Sequence, residues 1–208
     1  MTTLYKLTDR NGVTGSKYGA PLQWAAGVTH EIAADDYRGV LGRKGIIHAY
    51  ESPHVAVFMN PIHAEYDPAR LWLCETDTEV VRNDQLLCGV RRLTCVEELP
   101  PPEIKTTARI RAAILCVWEV YDEPTWRAWA TRWLSGEDRS AKSAVAEADR
   151  WAAVWVANAA AAEATATSVA RWTANAATVV VVAAKAAWGE KPELDLHAII
   201  ERAIREEG

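Results

Sequence analysis

The sequence predicts an α+β protein: a small, mainly antiparallel β-sheet domain with one short helix, followed by a C-terminal α-helical bundle or hairpin. Three observations predict it. Up to about residue 100 the apolar runs are short and separated by turn residues such as "DRNG", "LGRKG" and "YDPAR". Pro100, Pro101 and Pro102 then interrupt the chain, and three consecutive prolines extend neither a central strand nor a helix. Beyond them the apolar spacing is helical and alanine dominates. The domains expected are therefore 1–100 and 101–208.

In the first domain the runs "TTLYKLT", "GVTHEIA", "GIIHAY", "RLWLCETD", "TEVV" and "VRRLTCVEEL" give about six strands. The exception is "SPHVAVFMN". Ser52 suits an N-cap, Pro53 the first helical position, and Val55, Ala56, Phe58 and Met59 one apolar face. The stretch from Gly45 to Tyr66 thus divides into a strand to Tyr50, a helix from Pro53 to about Met59, and a loop holding Pro61 and His63.

In the second domain "TTARIRAAILCVWEVYDEPTWRAWATRWLSGEDRS" reads as two helices split at Asp122 to Pro124. Trp126, Trp129 and Trp133 recur at i, i+3 and i+7, which lines them along one face as core. From Ala141 to Trp188, 21 of 48 residues are alanine, punctuated by Trp151, Trp155, Trp172 and Trp188. Alanine has the best helix propensity, so helix is expected there, as an intramolecular hairpin broken near "ATATS" or as a surface for homo-oligomerisation. A closing amphipathic helix, "LDLHAIIERAIREEG", turns Leu194, Ile199, Ile200 and Ile204 inward.

Composition narrows the function. A net charge of -5 argues against nucleic acid as the partner, because phosphate tracking needs clustered Lys and Arg. The N-terminus lacks the basic start and apolar run of an export signal, and "AATVVVVAAKAAW" is shorter than the ~20 residues of a membrane span. A cytoplasmic protein with no membrane partner is expected. Cys74, Cys88, Cys95 and Cys116 form no CxxC pair and sit in apolar surroundings, as free buried thiols in a reducing compartment do.

No catalytic constellation is complete. His48, His54 and His63 lie six and nine residues apart, outside zinc-site spacings, so no metal is assigned. Ser52 falls at a helix cap and not in GxSxG. "GVTGSKYG" lacks the glycine pattern of a phosphate cradle. Glu97 and Glu98 are adjacent in a strand and face opposite ways. What the sequence offers instead is a ligand-binding corner of His48, Tyr50, Ser52, His54, Trp72 and Glu98. His48 and Tyr50 are expected on one strand face, with His54 on the first helical turn beside them.

The segments "YKLTD", "G…HEI" (Gly27 to Ile32), "GIIHAYESPHVAVF", "RLWLCET" and "CGVRRLTCVEELPPP" resemble a phage and prophage domain family of unknown function, over about half the chain. The Ala/Trp-rich remainder looks like helical segments that follow such domains. The resemblance implies phage or prophage origin and brings no assigned activity; the lack of a complete catalytic constellation and the Ala/Trp-rich helices instead lead to the expectation of a non-enzymatic accessory protein in the host cytoplasm, binding a host or defence-related protein or a small nucleotide-like ligand without a cofactor. A virion structural role is an alternative. A second similarity is to the ADP-ribosyltransferase skeleton, in which NAD would be the cofactor. It implies Lys6 on the first strand, His48, Tyr50 and Ser52 on the second, and Glu97 or Glu98 on a late strand; Lys6 lacks the planar fork of the arginine expected there.

Overall fold

A computed structural model of the chain describes residues 1–15, 21–41, 44–82, 86–119, 121–140 and 195–208. Antiparallel sheets occupy the N-terminal part and helices the later part, an α+β arrangement. The chain divides into two compact units, Met1–Glu103 and Ile104–Gly208.

In the first unit the strands are β1 (Thr2–Thr8), β2 (Val13–Thr14), β3 (Leu22–Gln23), β4 (Thr29–Glu31), β5 (Ile47–Ala49), β6 (Arg70–Thr76), β7 (Val81–Arg82), β8 (Cys88–Val90) and β9 (Arg92–Leu99). They form a four-stranded sheet in the order β1-β6-β9-β4, a three-stranded sheet β5-β8-β7 and a two-stranded ribbon β2-β3, every pairing antiparallel. Tyr5 and Tyr50 form an isolated bridge between β1 and the residue after β5.

The strand count exceeds the six expected because the short strands β2 and β3 lie outside the predicted runs and because the "VRRLTCVEEL" run is not one strand. Val90 belongs to β8 and the rest to β9, so the chain changes sheet at Arg91. Gly89 permits the tight packing there: a Cβ on it would lie 2.5 Å from Cδ1 of Ile46. Between the two larger sheets Leu4, Trp24, Ile47, Ala49, Trp72, Cys74, Cys88, Val90, Leu93 and Cys95 make one buried cluster. This alternation of buried and open residues is the period-2 signal read from the sequence.

Helix α1 (Pro53–His63) starts where the sequence places it. Ser52 Oγ accepts from the backbone N–H groups of His54 and Val55 at 3.1 and 3.3 Å. Ser52→Ala is therefore expected to cost about 1 kcal/mol, as a lower midpoint in urea denaturation. The helix does not stop near Met59. It continues through Pro61, which in the last turn forfeits a single backbone bond, to His63. Asn60 then holds the exit: its carbonyl accepts from Ala64 and Glu65, while its side chain donates to the Tyr66 carbonyl and accepts from the Tyr66 N–H. His63, expected in a loop, thus stands on the helix.

The second unit contains α2 (Thr106–Trp118), α3 (Pro124–Ser135) and α4 (Leu196–Glu207). Pro124 opens α3, Glu123 caps it by accepting from Trp126 N–H, and Gly136 closes it in a left-handed conformation (φ 83°). Trp126, Trp129 and Trp133 are buried together. In α4 the fully buried positions are Leu196, Ile200 and Ala203, with Ile199 and Ile204 at the edge and Leu194 outside the described residues. Arg111 of α2 donates to Glu206 and Glu207 of α4 and to the Leu134 carbonyl of α3, and Arg139 also donates to Glu207. The Ala/Trp-rich segment from Ala141 to Trp188 lies outside the described residues. Among those residues, no helix is long and apolar enough to cross a membrane.

Candidate functional site

Strand register gathers the predicted residues in two places. Lys6 on β1 pairs with Trp72 on β6, and Trp72 pairs with Glu98 on β9, so the three lie on one rung of the sheet with their side chains on one face. Trp72 is nevertheless no open stacking platform. It is 3% exposed, its indole N–H donates to Thr8 Oγ1 at 3.0 Å, and the Arg70 guanidinium covers its ring at 4.7 Å. Glu98, at the outer end of the rung, is held in a two-pronged ion pair with Arg70, which pulls its carboxyl below the ordinary carboxylate range.

The other place is the corner between β5 and the end of α1. Tyr50 is buried, and its hydroxyl lies 3.0 Å from Nδ1 of His63, the rings stacking with centroids 6.0 Å apart. His63 itself is exposed, so the corner has a buried floor and an open rim. His48, half-buried, stands close enough to feel His63 and Lys6. Burial first, then the charges of Lys6 and His63, lower its pKa from 6.5 to about 4. His48 is therefore a neutral imidazole across the physiological range. His54 is on the first turn of α1, as expected, and Ser52 beneath it is occupied as the helix cap.

Lys6 connects the two places. Its ammonium donates to the His48 carbonyl oxygen at 2.5 Å and sits 5.4 Å from the centroid of the Trp24 ring. Burial lowers its pKa from 10.5 to about 8, opposed in part by the thiols of Cys74, Cys95 and Cys88. No carboxylate among the described residues pairs with it. A half-buried cation without a carboxylate is costly, and such groups concentrate where a protein binds or reacts. Glu51, nearby in sequence, is committed to Arg82 of β7.

The sequence pointed to Lys6 only through the transferase similarity and to His63 only as a poorly spaced metal candidate, and did not bring the two to one corner. A lysine between Leu4 and Thr8 on the inward phase of "LYKLT" was the available signal for the first. For the second, the obstacle was Pro61, which suggested that the helix had already ended. Sequence reasoning also treated the cysteines singly, although Cys74 and Cys95 are direct cross-strand partners. Among the described residues no group of three or more His, Cys, Asp or Glu is arranged to hold a metal ion. Comparison with protein-family models, with curated proteins and with solved structures finds no match.

Proposed function

We propose that the N-terminal unit is a non-enzymatic binding module for a small anionic, nucleotide-like ligand, and that the chain serves as a phage-encoded accessory protein acting on host or defence components. One observation carries the ligand reading. At the corner of His48, Tyr50 and His63, the charges of Lys6 and His63 both add to burial in lowering the His48 pKa, the Tyr50 hydroxyl lies 3.0 Å from Nδ1 of His63, and the rim at His63 is open. An incoming phosphate would bring negative charge to a corner where Lys6 and His63 act as cations, and would accept hydrogen bonds from the imidazoles at its rim. The phage setting rests on the resemblance of "GIIHAYESPHVAVF" and its flanking segments.

Calorimetric titration of the full chain with pyrophosphate, ADP and NAD tests it. Expected are saturable binding of ADP or pyrophosphate at pH 7, and weakening of at least about tenfold in His63→Ala, which removes the rim imidazole. Binding should also fall as pH rises past about 8, where Lys6 loses its charge. Absence of heat with all three ligands would remove the reading. Turnover of NAD would replace the non-enzymatic part with the transferase alternative.

A further inference from the structure

We infer that Cys74 and Cys95 form a reversible redox pair, closing to a cross-strand disulfide when a small peroxide reaches them. The inference is independent of the ligand reading, since it needs only the two sulfurs and their surroundings. Cys74 of β6 and Cys95 of β9 are register partners, both fully buried, with sulfurs 3.3 Å apart. The backbone geometry at this rung suits closure. Cys95 spends both backbone groups on the opposite side: its N–H donates to the Val28 carbonyl and its carbonyl accepts from the Gly27 N–H. Towards β6 it therefore forms a non-hydrogen-bonded pair, the kind in which the Cα atoms approach to about 4.5 Å. That lies at the short end of the range a disulfide spans, and the register shift between Leu73 and Cys74 places a β-bulge beside the pair, so the bond can form but is strained and readily reduced.

The surroundings distinguish this pair from the other thiols. Burial first, then the charges of Glu51 and Glu119 respectively, push Cys88 and Cys116 up to about 12, as expected of inert structural cysteines. Cys95 is instead held below the ordinary thiol value, first by the hydrogen bond from Cys74 and then by the Lys6 ammonium, while Cys74 is correspondingly raised. Cys95 is thus the sulfur that gives up its proton. The thiolate attacks one peroxide oxygen, the O–O bond breaks, and hydroxide leaves to be protonated by solvent, so that Cys95 becomes a sulfenic acid. The Cys74 sulfur then attacks the Cys95 sulfur. The S–O bond breaks, and the departing hydroxide takes the Cys74 proton as water. Two thiols are oxidised and one peroxide reduced.

Hydrogen peroxide is added to the folded full chain, with circular dichroism monitoring the fold, and the product is read by intact mass and peptide mapping. Expected are loss of two of the four thiols, a mass lower by two hydrogens, a Cys74–Cys95 linked peptide, and full recovery with dithiothreitol. The linkage should persist in the Cys88→Ser, Cys116→Ser double variant. It should vanish in Cys95→Ser. Lys6→Met should slow oxidation at pH 7 by about tenfold and move its pH profile upward. A disulfide involving Cys88 or Cys116, over-oxidation without the Cys74–Cys95 bond, or four intact thiols after both peroxide and a large excess of oxidised glutathione would each overturn the inference. An unchanged rate in Lys6→Met would overturn the part assigned to Lys6.

Discussion

Lys6→Met is expected to stabilise the protein at pH 7 by at most about 2 kcal/mol. Folding takes the Lys6 ammonium partly out of water and lowers its pKa from 10.5 to about 8, a drop worth at most about 3 kcal/mol. The hydrogen bond to the His48 carbonyl and the contact with Trp24 return about 1 kcal/mol of that. Methionine has a similar length and no charge to desolvate, and exchange of a buried charge for a well-packed apolar side chain is often stabilising. The pH dependence follows from the direction of the shift. Below about 8 lysine is charged in both folded and unfolded chains, and its full cost is present. Between about 8 and 10.5 the folded protein has released the proton while the unfolded chain still binds it, so the cost fades as pH rises. Urea titrations of the two proteins should therefore differ at pH 7 and converge towards pH 10.5. If Lys6→Met is less stable at pH 7, the ammonium is better compensated than its surroundings indicate. A residue retained at such a cost is the strongest stability argument that this rung has a role beyond packing.

The α+β class was legible because it depends on signals that are local in sequence. Alternation marked β1 and β6, Ser52 and Pro53 marked the start of α1, and Glu123, Pro124 and Gly136 bounded α3. The sheet change at Arg91 was hidden because "CGVRRLTC" reads as continuous strand whether it serves one sheet or two, and only the close contact between Gly89 and Ile46 makes the division visible. The site was legible in part. His48, Tyr50 and His54 fall where period and capping place them. The role of Trp72 was not legible, since an aromatic on an inward strand phase looks the same whether it lines a cavity or, as here, is closed over by Arg70 and tied to Thr8. Lys6, His63 and the Cys74–Cys95 pair depend on register between strands far apart in the chain, which a single sequence does not encode in any local pattern.

Phe58→Ala should have the larger effect on the fold, about 3–5 kcal/mol of lost stability, through deletion of a fully buried aromatic side chain from the inner face of α1. For a unit of about this size the loss corresponds to a thermal midpoint lower by more than 10 °C. The consequence for the corner is separable with the milder Phe58→Leu. Helix α1 carries His63 at its last turn, and its buried residues fix where that imidazole meets Tyr50 and His48. Loosening the helix should move His63 away, remove one of the two cationic neighbours of His48, and let its pKa rise from about 4 towards 6.5. His48 contributes stability that is fully present above about 6.5 and is lost as pH falls towards 4, because over that interval the unfolded chain takes up a proton that the folded protein refuses. Phe58→Leu should accordingly lose less stability between pH 7 and pH 4 than the wild type does, while being less stable at pH 7. NMR titration of the His48 ring protons reads the same shift directly. An unmoved His48 in a destabilised Phe58→Leu would mean that the corner is set by β5 alone and that α1 does not position it.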